Sequence, residues 1–477
     1  MLRATPCEIA RATGARLVCG PEGREVAGVT TDSRAITPGC LFVAIKGERV
    51  DGNDFAARAI EAGAGAVALT RDADEALVRA AESAGAALLR AEDAVDFLLA
   101  LASWWRGRLD CVVVGITGSS GKSTTKEMTA AVLATSFRTH ATAGNLNSLI
   151  GAPLTVLSCP LDAEALVVEM GMNAAGEIER IARCARPHIG VVTNVGVAHI
   201  GLLGSRRAIA AAKSELVAEL PASGGRYPSC AILWGEDDFT GWIESEVAAP
   251  RGVRVLRFGT EPADDASCVG FALDGQGCAS GRVSLPSGAS FDLELHLPGA
   301  HNVNDALAAA TVGDLLGVAP ERIAAALAGV RPMRMRLQVA AAPGGFTVVD
   351  DSYNANADSM RRSIDVLCSL PAGRRVACLG DMGELGDSAA VMHAAIGAYV
   401  AAKPVDVLVA VGPLSRTMAE AARLMGMGEN AVVEVDDADA ASRALRDILR
   451  PGDALLVKAS RSVELDRTVK AVMGPWE

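Results

Sequence analysis

The feature that most constrains this chain is a junction between an apolar run and a glycine-rich turn. Cys111-Val112-Val113-Val114-Gly115 reads as a buried parallel strand, and Gly118-Ser119-Ser120-Gly121-Lys122-Ser123 follows at once. A helical segment opens at Lys122. Small residues at such a junction let backbone N–H groups turn inward and cradle phosphate oxygens, and the helix N-terminus adds partial positive charge. In this reading Thr117 to Thr124 form the phosphate loop, Lys122 reaches the terminal phosphates, and the Ser123 hydroxyl serves Mg²⁺. The glycines stand at 115, 118 and 121, and Ile116 occupies the place of the usual first glycine. A strand feeding a helix through this loop demands an α/β fold with a mostly parallel sheet.

Similar βα alternation runs through the chain. Apolar runs at Leu41 to Ile45, Ala66 to Leu69, Ala165 to Glu169 and Ile189 to Thr193 read as strands, separated by Ala-rich helical stretches. Between about 250 and 297 the pattern becomes short β-like pieces with Gly turns. Strands resume at Phe346 to Asp350, Val376 to Leu379, Val407 to Val411 and Ala454 to Val457. The strip near 221–230 reads as a surface loop. With 477 residues, half of them hydrophobic, the chain divides into three expected modules: 1–107, 108–331 and 332–477. Aromatics are only 4%, so the cores are expected to be aliphatic.

The charge balance narrows the partners. Asp plus Glu number 57 against 45 Lys plus Arg, a net charge of −12. Such a surface repels a phosphate backbone, so nucleic acid is not an expected partner. No 18-residue apolar run exists, so membrane insertion is not expected either. The 11 cysteines are scattered without C-x-x-C spacing, which argues for free thiols, a reducing cytoplasm and no zinc site.

Further candidates follow from position. Glu169 ends a strand, where ligands of open α/β sheets bind, and a carboxylate there can hold a phosphate-bound Mg²⁺ or simply face solvent. His199 closes Thr193-Asn194-Val195-Gly196-Val197-Ala198-His199 at a second strand end, as a functional or a structural imidazole. Lys213 lies on an Ala-rich helical stretch and by pattern alone is a snorkelling surface lysine.

Taken together, these motifs resemble the Mur ligases of bacterial cell-wall synthesis over essentially the whole chain. The likeness rests on Thr31-Asp32-Ser33-Arg34 and Pro38 to Gly47, the phosphate loop, Gly144-Asn145-Leu146-Asn147 with Ile150 to Pro153, and Glu169 to Asn173 with Gly176 to Ile178. It continues through Gly299 to Asn302, Asp350-Asp351-Ser352-Tyr353-Asn354-Ala355-Asn356, Gly380 to Gly386 and Lys458 to Arg461. No Asp-Asn-Pro-Arg signature is present, which sets aside the member that adds a single third amino acid.

The resemblance implies three domains: an N-terminal UDP-binding α/β domain, a central P-loop ATPase domain and a C-terminal Rossmann-like domain. It implies an ATP-dependent amide ligase that joins D-Ala-D-Ala to UDP-MurNAc-tripeptide through an acyl phosphate, acting as a monomer in the cytoplasm. Lys122, Glu169, His199 and Lys213 are then the catalytic set. Ser123, Glu169, His199 and a carbamylated Lys213 would serve one or two Mg²⁺ ions. Asn302 and Asp305 are expected near the adenine, Asp351 at the ribose and Arg336 at the terminal phosphate. Ser33, Arg34 and Lys46 are expected on the UDP portion, and Asn145 and Asn173 along the site. Tyr353, Asn354 and Asn356 are expected at peptide and ATP, and Lys458, Ser460 and Arg461 at the incoming dipeptide. Three positions depart from the family pattern: Asp305 where Asn is usual, Ala174 where His is frequent, and Ala459 where Gly is usual.

Overall fold

The computed structural model of the chain describes residues 1–47, 49–222 and 225–474. Three large sheets succeed one another along it. The first has five strands in the order Arg16–Cys19, Ala87–Arg90, Ala66–Leu69, Leu41–Val43, Val29–Thr30; only the first pair is antiparallel.

The second sheet has ten strands. Its parallel part runs Thr139–Ala141, Ala165–Glu169, Val112–Thr117, Ile189–Val192, Cys230–Trp234, Arg254–Gly259 and Ala266–Ser267. The antiparallel strands Ala272–Leu273, Cys278–Ser284 and Ser290–Pro298 extend it. Val112–Thr117 lies between Ala165–Glu169 and Ile189–Val192, so three strands expected to carry chemistry end side by side.

The third sheet orders Gln338–Ala341, Thr347–Asp350, Asp453–Lys458, Arg374–Gly380, Val407–Val411 and Val432–Val435, parallel except for its first pair. The strands at Ala66–Leu69, Ala165–Glu169 and Val407–Val411 coincide with their expected runs, and the others differ by a few residues at their ends. Thr139–Ala141 and Val432–Val435 carried no comparable apolar signal: the first contains Thr139 and His140, the second Glu434. Of the 221–230 strip, 223 and 224 lie outside the described residues; the described positions before Cys230 belong to no strand or helix.

Both faces of the central sheet are covered, as its unbroken apolar strands require. Alternate residues serve opposite cores: Val113, Leu166 and Val168 on one side, and Val112, Val114, Ile116 and Val167 on the other. The first of these cores continues into the N-terminal stretch through Leu41, Leu89, Leu98 and Trp105. Each such fully buried Val or Leu contributes on the order of 1.5–3 kcal/mol. Helix starts are fixed locally. Asp93 accepts from Val95 N and Asp96 N, Ser205 accepts from Ala208 N, and Asn356 forms a reciprocal cap with Ser359.

All eleven cysteines are free thiols. No helix among the described residues is long and apolar enough to cross a membrane.

Candidate active site

At the end of Val112–Thr117 the backbone enters conformations that only glycine adopts without strain. Gly118 has φ +152°, and Gly121 has φ +82° as the residue preceding the helix Lys122–Ala134. A Cβ at Gly118 would also lie 1.8 Å from Thr193 Oγ1. The loop is braced from the neighbouring strand end: Thr193 Oγ1 donates to Ser120 O at 2.6 Å, and Asn194 Oδ1 accepts from Ser120 N at 3.1 Å. Lys122 Nζ folds back to donate to Gly118 O at 2.8 Å.

Glu169 is 1% exposed at the end of its strand. Its Oε1 accepts from Ser123 Oγ at 3.2 Å and from Asn147 Nδ2 at 2.7 Å. Its Oε2 is buried with no hydrogen-bond partner. A solvated strand-end glutamate would not look like this. An orphaned carboxylate oxygen beside a loop serine fits a hard cation. Burial lowers the Lys122 amine; Glu169 raises it and Arg336 lowers it further.

A cavity of about 360 Å³ joins these groups to the C-terminal sheet. Ser119, Ser120, Gly121, Lys122, Ser123, Thr124, Glu169, Asn173 and His199 line it, together with Asn302, Asp305, Arg336, Asp351, Tyr353, Asn354, Asn356 and Lys458. The guanidinium of Arg336 stacks 4.2 Å from the Tyr353 ring centroid. Asn302 Nδ2 donates to Pro298 O at 2.9 Å. Asp351 takes hydrogen bonds from Ser363 Oγ at 2.6 Å and Leu337 N at 3.2 Å, and pairs with the Lys458 ammonium, which also donates to Asn354 O at 2.9 Å.

Asp305 faces the phosphate loop, accepting from Thr125 Oγ1 at 3.0 Å. A Cβ on Gly121 would lie 2.4 Å from its Oδ1. Burial pushes the Asp305 carboxyl up to about 7, against the pull of Arg362 and the Thr125 hydrogen bond.

Lys213 is not the surface lysine its pattern suggested. It is 1% exposed on the helix Arg206–Ala218 and meets no carboxylate among the described residues. Burial drives its amine well below the usual lysine range, and Lys122 adds to that. It does not line the cavity surface. Thr117 and Gly118 form the strand end and turn rather than the lining.

Other expected residues stand apart. Ser33 and Lys46 follow the C-terminal ends of the adjacent parallel strands Val29–Thr30 and Leu41–Val43, where an open α/β sheet places a ligand. Arg34 is held bidentately by Asp32, at 2.9 and 2.8 Å. Asn145 is exposed; two positions on, Asn147 is the one that reaches Glu169. Ser460 Oγ accepts from Gly383 N at 2.7 Å, and Arg461 pairs with Asp466 at 3.0 Å, both outside the lining.

Among the groups that sequence reasoning did not assign, Asn147, Arg362 and Glu384 line the cavity and Asn194 braces its loop. Asn147 and Asn194 stood in motifs that were legible, but their roles depend on cross-strand register. Arg362 Nη1 donates to Ser120 Oγ at 2.9 Å across 242 residues, and no local signal announces it.

No group of three or more His, Cys, Asp or Glu side chains suited to a metal occurs among the described residues. The expected set contains only two such residues, with a hydroxyl and a lysine completing it.

A phosphate loop facing a buried carboxylate, closed over by a second, mostly parallel sheet, is an architecture suited to a nucleoside triphosphate. The chain belongs to the Mur ligase family: the Mur ligase middle domain matches residues 116–313, the glutamate ligase domain 335–461, and the family's catalytic domain 25–103. Among curated relatives it is similar to UDP-N-acetylmuramoyl-tripeptide--D-alanyl-D-alanine ligase of Bacillus subtilis, 34% identical over 93% of this chain and 92% of that one. The enzyme of that name from Mycobacterium tuberculosis (strain H37Rv) is 37% identical over 99% and 98%. Among solved structures, MurF from Acinetobacter baumannii superposes with TM-score 0.87 at 30% identity, covering 99% of both chains. MurF ligase from Thermotoga maritima in complex with ADP gives 0.78 at 26% identity, covering 94% of this chain and 97% of that one.

Proposed function

We propose that this chain ligates D-Ala-D-Ala to UDP-MurNAc-tripeptide at the expense of ATP, giving the UDP-linked pentapeptide of peptidoglycan synthesis. The observation that carries this reading is the shared cavity. The phosphate loop and Glu169 form one wall, and Arg336, Asp351, Tyr353 and Asn354 of the last sheet form another. Full-length likeness to enzymes of that name supports the choice of acceptor.

The physics follows from the problem. A carboxylate is a poor acyl donor because its oxygen leaves badly, and phosphorylation repairs this. The tripeptide carboxylate attacks the γ-phosphorus and ADP departs; the dipeptide amine then attacks the acyl carbon, and phosphate departs as the amide forms. Two anions must approach, so cations and oriented dipoles must offset their repulsion. The loop N–H groups and Lys122 take the ATP phosphates, and Arg336 and Arg362 bring guanidinium charge from the opposite wall. Asn302 and Asp305 flank the adenine end and Asp351 the ribose. Tyr353, Asn354 and Asn356 line the peptide side. Ser33, Arg34 and Lys46 hold the UDP end, and Lys458, Ser460 and Arg461 orient the dipeptide.

Ser123, Glu169, His199 and Lys213 are the residues that would hold Mg²⁺, which supplies charge neutralisation at the transferring phosphoryl group. Lys213 suits this only as a carbamate. Burial lowers this amine and so favours the free base, the form that adds CO₂ with loss of one proton to become an anionic oxygen ligand. Residues 1–107, 108–331 and 332–477 act as UDP-substrate, ATP and lid modules. The enzyme works as a cytoplasmic monomer.

Phosphate release from ATP by the purified protein tests the assignment. It is expected only with UDP-MurNAc-tripeptide and D-Ala-D-Ala both present. Equal turnover with a single amino acid in place of the dipeptide would overturn it.

A further inference from the structure

The segment after the strand Ile189–Val192 is gripped from the C-terminal part of the chain. Val197 N donates to Asp358 Oδ2 at 3.0 Å, and Gly201 N donates to Glu384 O at 2.9 Å. Gly201 and Gly386 meet backbone to backbone: a Cβ on Gly201 would lie 2.3 Å from Gly386 N, and one on Gly386 would lie 2.9 Å from Gly201 Cα. Between these grips stands His199, in the left-handed region at φ +65°. Opposite it stands Glu384, also left-handed at φ +61°. Two non-glycine residues in that region face each other across one cavity, which both of them line. Their side chains meet there, with His199 Nδ1 2.6 Å from Glu384 Oε2. The approach lies off the aligned hydrogen-bond direction, so the contact is a close charge-facing pair about a torsion that is soft in an imidazole.

We propose that Glu384 is a positioning residue for His199: its carboxylate holds the proton on Nδ1, fixes the ring, and leaves Nε2 as the lone-pair donor, so that this ligand is complete only when the C-terminal module is docked. The inference rests on the reading of His199 as a cation ligand. A carboxylate on the far nitrogen is how proteins fix the tautomer and raise the basicity of a ligating histidine, and its removal costs about 10–100-fold in affinity or activity. Here that carboxylate comes from a different sheet from the imidazole. Closure and site assembly therefore become one event.

The test uses the full chain and the pair E384A and E384Q. ¹⁵N spectra of histidine-labelled, metal-free protein report the tautomer of His199, assigned by its loss in H199Q among the six histidines. The wild type is expected to show the Nδ1–H form, E384A a mixture, and E384Q the Nδ1–H form again, because the glutamine oxygen still accepts. Acceptor-dependent phosphate release is expected to fall about 10–100-fold in kcat in E384A, with KM for ATP nearly unchanged, and to recover most of the way in E384Q. An E384A protein with the wild-type tautomer and wild-type kcat would overturn the proposal. A wild type lacking acceptor-dependent release, yet losing the Nδ1–H form in E384A, would sink the ligase reading and leave the positioning intact.

Discussion

Thr125 donates its hydroxyl to Asp305 across 180 residues, at 3.0 Å. The bond ties the opening of the helix after the phosphate loop to the first turn of the helix Asn302–Leu315. The carboxyl it reaches is buried, and burial raises it to about 7.

That value makes stability pH-dependent with a definite sign. A carboxyl raised in the folded state favours the protonated fold, so its contribution is complete below about pH 4 and is lost as pH rises through about 7. The span corresponds to the order of 4 kcal/mol. D305N keeps the shape and removes the titration. Its melting temperature should exceed that of the wild type at pH 8, by less at pH 5, and converge with it only below about pH 4, as scanning calorimetry would show. Parallel curves for the two proteins would contradict the assignment.

Asn147 donates to Glu169 Oε1 at 2.7 Å, which leaves Oε2 as the free oxygen. N147A should lower kcat/KM for ATP about 10–100-fold, since the carboxylate loses the partner that orients it. N145A, in an exposed side chain outside the cavity lining, should lose less. Steady-state kinetics on the two variants separate them.

The buried amine of Lys213, with no carboxylate to meet among the described residues, predicts dependence on CO₂. K213A should lose nearly all phosphate release and regain part of it when short carboxylic acids are added. Absence of rescue, with the fold intact by circular dichroism, would count against the carbamate.

Asp351 and Lys458 form an ion pair whose side chains are 12% and 3% exposed. Breaking such a pair leaves an uncompensated buried charge, so K458M should destabilise the protein by about 3–5 kcal/mol in urea unfolding. The double variant D351N/K458M should recover much of that loss, because no lone charge remains. Additive losses would show that the two residues act independently.

Much of this site was legible because its chemistry sits at strand ends. The phosphate loop and Glu169 each follow an unbroken apolar run, and a buried parallel strand announces itself that way. Lys213 misled by pattern, because an Ala-rich stretch carries little periodic information about which face is buried. Asn147 was displaced by Asn145 in the reading because the two lie in one loop, and only the bond to Glu169 separates them. Arg362 was invisible as a site residue, and Glu384 stood in the legible Gly380 to Gly386 string without its partner being legible, for a different reason. Their roles exist only in the docking of one sheet against another, and no local spacing encodes it. The short strand Thr139–Ala141 escaped because its residues are half-buried at the sheet's edge.

The most direct test is the mass of the product formed from ATP, UDP-MurNAc-tripeptide and D-Ala-D-Ala by the purified chain. A single new UDP-linked species is expected, heavier than the tripeptide by the dipeptide less one water, with ADP and phosphate formed in equal amount. Unaltered tripeptide, or a species carrying only one added alanine, would contradict the assignment.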